Sequence, residues 1–190
     1  MILILTRHGE TVENSMKLIQ GQSEGHLSEK GLHQAERLAK RLEGEKIDFI
    51  YSSDQERARI TAEIVARFHP GLKIELDTRL RERNFGKLEG ASYDINFDWN
   101  NLPDFVETYD HICERVIDFL ADIYKKHKDE TVLVVTHGGV IRSFYAVING
   151  MPFPDAKSVK TPKNTSVYVF EICESGIHKT HLENCIRHLD

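Results

Sequence analysis

The run Thr131-Val132-Leu133-Val134-Val135-Thr136 carries no charge, is dominated by β-branched residues and is ended by His137-Gly138-Gly139. Six such residues suit a strand covered on both faces, the situation of a parallel sheet between helices rather than of an antiparallel sheet with one wet side. The opening run Met1-Ile2-Leu3-Ile4-Leu5 reads the same way and ends in similar punctuation, Thr6-Arg7-His8-Gly9. Each predicts a strand whose C-terminal end delivers an imidazole and a glycine to the loop edge of a sheet, where ligands are met.

The rest of the chain alternates accordingly. Ser28 with Gly31 three residues on opens a predicted helix to Leu42, with Leu32, Ala35, Leu38, Ala39 and Leu42 as its apolar face. A strand over 47–51 runs through Ser52-Ser53-Asp54 into a helix carrying Ala58, Ala62, Val65 and Ala66, and a short strand follows around Ile74-Glu75-Leu76. The polar stretch 79–86 leads into a loop or lid to Pro103, after which Pro103 and Asp104 precede a helix to about His127. A helix after His137 runs to about Ile148, where Gly150 and Pro152 break it, and runs 167–172 and 177–182 predict closing strands. The expectation is a single α/β domain over residues 1–190 in three layers, a mostly parallel central sheet flanked by helices on both faces.

Composition narrows the function classes. With 40% apolar residues the 190-residue chain can bury a sizeable core unaided, and a formal net charge of -5 argues against a general nucleic-acid binder. The three cysteines, Cys113, Cys173 and Cys185, form no CxxC pair and cannot all pair within one chain, which fits a reducing cytoplasm. No stretch approaches the ~20 apolar residues of a membrane span. The expected protein is cytoplasmic, without membrane or nucleic-acid partners, a monomer or homodimer.

If the two strands ending in His8 and His137 lie near each other, both imidazoles converge on one sheet edge, and Arg57, a turn or two after the strand over 47–51, reaches the same edge. With Arg7 these side chains would make a pocket whose fixed donors match the equatorial oxygens of a phosphoryl group. Enough fixed positive charge stabilises phosphoryl transfer without a divalent cation, and no clustered carboxylates demand one, so no metal and no cofactor are expected. Cys113, placed mid-helix, has the wrong context for a cysteine phosphatase, and no Gly-rich Lys-Ser/Thr loop is present.

Four segments in order resemble the motifs of the histidine phosphatase superfamily, also called the phosphoglycerate mutase-like family. They are Arg7-His8-Gly9-Glu10-Thr11, Ser52-Ser53-Asp54-Gln55-Glu56-Arg57-Ala58, Leu80 to Gly90 around Glu82, and Val135-Thr136-His137-Gly138-Gly139-Val140-Ile141-Arg142. Arg-His-Gly alone is weak; four motifs, each after a predicted strand or on a loop, are specific. The resemblance covers nearly the whole chain. It implies that His8 is phosphorylated, that Arg7, Arg57 and His137 hold the phosphate, and that Glu82 donates the proton to the leaving alkoxide, then accepts one from water. Asn14 matches a phosphate-contacting position, and Gln20, Gly21, Arg83 and Gly138 are further substrate-binding candidates.

Phosphatases and mutases share this chemistry and differ in what receives the phosphoryl group. The segment 91–103 is short and contains no Lys or Arg, whereas cofactor-dependent mutases carry a longer, arginine-containing insertion there. The expected activity is therefore hydrolysis of a small phosphorylated metabolite whose remainder is not strongly anionic. Tyr93, Phe97, Trp99 and Phe105 offer an apolar rim, with Arg83 and Lys87 as extra cations near the mouth. Arg83, where many small phosphatases have an apolar residue, keeps a mutase as the alternative. A phosphate-binding module without turnover is a lesser one, since both His8 and Glu82 are present.

Overall fold

Each of the two apolar runs forms a strand, β1 (Ile2–Arg7) and β4 (Thr131–Thr136), and the two are parallel neighbours inside a six-stranded sheet. The computed structural model describes residues 1–94, 96–99 and 101–190. Around that pair the sheet order is β3-β2-β4-β1-β5-β6, with β2 at Phe49–Ser52, β3 at Ile74–Leu76, β5 at Val167–Glu171 and β6 at Lys179–Cys185. Strands β3, β2, β4 and β1 run parallel, and the closing pair β5 and β6 is antiparallel.

Strand alternation divides the apolar side chains between two cores. Leu3, Leu5, Val132 and Val134 face Ile112, Val116 and Phe119 of α4 (Tyr109–Lys126) and Val140, Ile141 and Phe144 of α5 (Gly138–Ile148). Ile4, Leu133 and Val135 face the other way, onto Ala35, Leu38, Ala39 and Leu42 of α2 (Glu29–Leu42) and Ala58, Ala62 and Val65 of α3 (Glu56–Ala66). A single-turn helix, α1 (Val12–Ser15), lies in the loop after β1 and is closed by a capping box between Thr11 and Asn14. The three-layer arrangement is the one read from the sequence.

Several boundaries differ from expectation. Ser28 does cap α2 through Gly31 N, but Leu32 is 41% exposed, because the buried stripe runs through Gly31, Ala35, Leu38, Ala39 and Leu42. Helix α4 begins at Tyr109 rather than after Asp104: the Thr108 hydroxyl accepts from His111 N at 3.3 Å, and Pro103 instead opens a turn closed by Val106 N. The last strand starts at Lys179, since Gly176, at φ +76°, makes the turn before it and leaves Ile177 78% exposed. A 3-10 turn at Phe153–Ser158, not foreseen, follows α5. All three cysteines are free thiols, and among the described residues no helix is long and apolar enough to cross a membrane.

Candidate active site

In the β1–β4 register Arg7 lies opposite Thr136, so the residues that follow them, His8 and His137, leave the sheet side by side. His8 N donates to Thr136 O at 3.0 Å, and the imidazole centroids are 5.2 Å apart with the rings tilted by 57°. Gly9 lets the chain turn away over the first turn of α2: a Cβ there would stand 2.4 Å from Gly31 O, nearer than any side chain tolerates. Its N–H donates to the Thr61 hydroxyl of α3 at 3.1 Å, tying the loop after β1 to the helix that carries Arg57.

Hydrogen bonding fixes the tautomer of His8. Nδ1 lies 2.7 Å from Gly9 O, and a carbonyl can only accept, so Nδ1 carries the proton and Nε2 keeps its lone pair. Burial first, then the positive charges of Arg7 and Arg57, hold the His8 imidazole well below its usual protonation range, so the ring is neutral at pH 7. His137 is shifted the same way, by burial first and then by Arg57, His8 and Arg7, and both of its ring nitrogens are buried without a hydrogen-bond partner among the described residues.

Arg57, in the first turn of α3, is only 1% exposed, an unusual place for a guanidinium. Nη2 donates to Gly21 O at 2.6 Å and Nη1 to Ser23 O at 3.1 Å, while Nε is buried without a partner among the described residues. Burial brings its pKa down to about 10 against the opposing pull of Glu82, which still leaves it charged at neutral pH. Arg7 is fixed by donation from Nη1 to Pro162 O at 2.8 Å, and its Nε is likewise buried and unpartnered among the described residues. Two desolvated cations beside two neutral imidazoles, with donors still unsatisfied, form an edge electrostatically complementary to an anion.

Glu82 closes the opposite side. Its carboxylate accepts from Gly139 N at 3.1 and 3.3 Å and from Arg83 N at 2.8 Å. A Cβ on Gly139 would lie 2.5 Å from Glu82 Oε1 and would push the carboxylate aside. The backbone of the acid is held as well: Glu82 N donates to Gln55 Oε1 at 2.7 Å, and Glu82 O accepts from Gln22 Nε2 at 3.0 Å and Arg115 Nη2 at 3.4 Å. Arg115 is itself paired to Glu107 at 2.9 Å, so this ion pair buttresses the acid segment, while Thr108 caps α4.

The other candidates lie around this edge. Asn14 Nδ2 donates to Gln20 Oε1 at 2.9 Å, and Asn14 Oδ1 accepts from Asn164 Nδ2 at 3.3 Å. Gln20 is engaged at both amide atoms, by Thr11 and Asn14 at Oε1 and by Glu13 at Nε2. Gly21, at φ +55°, gives its carbonyl to Arg57 and Gln55; a Cβ would meet Glu89 at 2.2 Å. A Cβ on Gly138 would come within 3.6 Å of Arg7 Nε.

Sequence reasoning missed three residues. Asn164 Nδ2 donates to His8 O at 3.1 Å, and Arg142 and Lys157 line a cavity of about 140 Å3 next to Glu82, together with Arg83, Phe85, Trp99, Tyr109, Gly138 and Gly139. Arg142 lies four residues after Gly138, on the same helical face, a signal that was available; Lys157 and Asn164 carried none. Of the four expected rim aromatics only Trp99 is in this lining. Tyr93 and Phe97 pack against Trp99 at 5.1 and 4.6 Å, Phe105 stands over Gly86, and Ile95 and Asn100 of the same segment lie outside the described residues. Lys87 is exposed and outside the lining. Among the described residues no group of three His, Cys, Asp or Glu side chains could hold a metal ion.

The model of the histidine phosphatase superfamily (branch 1) matches residues 3–184. Phosphoglycerate mutase-like protein 4 of Arabidopsis thaliana is 36% identical, over 99% of this chain and 86% of its own length. The metal-independent phosphoserine phosphatase of the same plant is 39% identical, over 90% and 76%. Among solved structures, Bacillus stearothermophilus YhfR superposes with a TM-score of 0.91 at 35% identity, over 100% of this chain and 99% of that one.

Proposed function

The chain belongs to the histidine phosphatase superfamily (branch 1) and is an enzyme of the histidine phosphatase type; from that premise we propose that it hydrolyses the phosphomonoester of a small metabolite through a phosphohistidine at His8, without a metal ion. The observation that carries this reading is the pairing of neutral, buried His8 with His137 at 5.2 Å, between buried Arg57, half-buried Arg7 and one carboxyl.

In the first half-reaction His8 Nε2 attacks phosphorus while the bond from phosphorus to the ester oxygen breaks. The unsatisfied donors of Arg7 and Arg57 meet the equatorial oxygens, and His137 contributes a further contact from the opposite ring. Glu82, held beside the phosphate edge by Gly139 N and Arg83 N, gives its acid proton to the departing alkoxide. In the second half-reaction water attacks phosphorus, the bond to Nε2 breaks, and Glu82 takes the proton that the water loses. Asn14, Gln20 and Gly21 act from behind, ordering the loop that supplies carbonyls to Arg57. The likeness to a metal-independent phosphoserine phosphatase supports both the reaction and the absence of a metal requirement.

The test is phosphate release from a panel of phosphomonoesters with chelator present, together with trapping of the labelled enzyme by quenching in alkaline detergent. Turnover in chelator with an acid-labile, base-stable phosphoenzyme is expected. Loss of all activity in chelator would remove the metal-free mechanism. Isomerisation of 3-phosphoglycerate, after priming with 2,3-bisphosphoglycerate, that outpaces phosphate release would make the chain a mutase, the reading that Arg83 beside the acid supports.

A further inference from the structure

The peptide plane between His8 and Gly9 is pinned on both sides, by donation from Asn164 Nδ2 to His8 O at 3.1 Å and from Gly9 N to the Thr61 hydroxyl at 3.1 Å. From that plane the chain passes on to Gly9 O, the acceptor that keeps the proton on His8 Nδ1 and leaves Nε2 bare. Thr165 N donates to Arg7 O at 3.0 Å and reaches His8 O only at 3.4 Å, so Asn164 is the closer partner of the His8 carbonyl. The Asn164 amide has one orientation. A carbonyl can only accept, so the atom facing His8 O is nitrogen, and the same nitrogen donates to Asn14 Oδ1 at 3.3 Å. That oxygen is identified independently, because Thr11 N also donates to it, at 3.3 Å.

The backbone that delivers this amide is strained. Thr165 is fully buried at φ +54°, the left-handed region that a β-branched residue disfavours. Its hydroxyl donates to Asn164 O at 2.8 Å and accepts from His188 Nε2 at 3.2 Å, and Pro162 O, three residues earlier, accepts from Arg7 Nη1 at 2.8 Å. The segment 162–165 thus grips the Arg7 side chain, the Arg7 carbonyl and the His8 carbonyl. Backbone of this kind persists where its surroundings over-determine it, and it clusters where precise placement is used. We propose that Asn164 is a positioning residue for the nucleophile: through His8 O it holds the imidazole in line with the phosphorus to be attacked, and Thr165 takes its left-handed backbone to present that amide. The proposal rests on the assignment of His8 as nucleophile. Asn164 acts through the backbone of His8 and takes no part in proton transfer.

The experiment compares Asn164→Ala and Asn164→Leu with the wild type in kcat/KM for p-nitrophenyl phosphate and in inhibition by vanadate and by inorganic phosphate. Vanadate mimics the transition state when an in-line imidazole completes its coordination, whereas phosphate needs the cationic edge alone. Both variants should lose on the order of tenfold to a hundredfold in kcat/KM, the cost of a misplacement of about 1 Å. The vanadate inhibition constant should rise by a similar factor while that of phosphate stays near the wild-type value, and the ratio of the two constants does not depend on how much of the enzyme is folded. Leucine keeps the branched outline of asparagine without its N–H, so wild-type kcat/KM in Asn164→Leu beside a loss in Asn164→Ala would reduce the residue to packing. Parallel rises in both inhibition constants would place the damage at the cationic edge. Either result, or wild-type behaviour of both variants, overturns the proposal and leaves the hydrolase reading standing. If Asn164→Leu does not fold, the ratio in Asn164→Ala, which truncates a side chain only part-buried, decides. Wild-type enzyme that neither hydrolyses p-nitrophenyl phosphate nor binds vanadate more tightly than phosphate overturns the assignment of His8 as well.

Discussion

Two regions meet at Glu82 and are built in opposite ways. The edge with His8, His137, Arg7 and Arg57 grows from the ends of adjacent strands and the first turn of α3, so sheet register places the two histidines and helix α3 brings Arg57 to them. The cavity beyond Glu82 is assembled from the segment after β3, the 91–103 loop, the start of α4, one face of α5 and the 3-10 turn after it. Its side chains share no ladder and touch one another mainly through Tyr109. The comparison teaches how one scaffold keeps a fixed reaction while its substrates change: chemistry is tied to the core, selectivity to parts that substitute independently.

The sharpest way to separate the two regions is His8→Ala, for which turnover should fall on the order of 10^4-fold or more with every ester, since no other group supplies a nucleophile. Phosphate release at full rate in this variant would remove the mechanism outright. Glu82→Gln sits on the boundary. It should slow alkyl esters by about 10^2 to 10^4 but p-nitrophenyl phosphate far less, because that leaving group needs no proton. An equal loss with both classes would assign Glu82 a purely structural role.

Gly139→Ala places a methyl against Glu82 Oε1, where the Cβ distance is 2.5 Å. Displacing the carboxyl by about 1 Å should cost on the order of 10^2-fold, again mostly with alkyl esters. Wild-type rates would show that the boundary is softer than the geometry implies.

The smallest effect is in stability. His8 and His137 are held neutral in the fold but take up protons when unfolded, so below their ordinary value of 6.5 the unfolded state binds more protons and stability falls with falling pH. The slope is at most ~1.4 kcal/mol per pH unit for each histidine. Urea denaturation between pH 7 and 5 should show a shallower slope in His137→Asn than in wild type and an unchanged slope in Lys157→Ala, whose region contributes no buried histidine. An identical slope in His137→Asn would contradict the burial argument.

Legibility in the sequence follows the same division. The strand Thr131–Thr136, the Ser28 cap, the end of α5 at Ile148 and the placing of both imidazoles at strand ends were readable because each depends on neighbours within a few residues: β-branched runs, a hydroxyl three residues before an amide, a glycine after a helix. The start of α4 differs from the reading after Pro103 and Asp104 because Pro103 O accepts from Val106 N in a separate turn, and the helix is capped by Thr108. Leu32 was misplaced because hydropathy gives a stripe, while the rotation of α2 against the sheet is set by the contact of Gly31 with Gly9 and Glu10.

By itself, then, the amino-acid sequence determined the layered fold and the four motifs whose residues meet at the edge, because periodicity, caps and strand ends are local physics. Only the tertiary structure decided that Arg7 and Arg57 are desolvated against carbonyls, that Asn164 holds the His8 carbonyl, and that Arg142 and Lys157 face Glu82 across an aromatic-walled cavity. Those are encounters between segments up to 156 residues apart. Their outcome depends on helix rotation and on how a 3-10 turn docks, which no short window of sequence encodes.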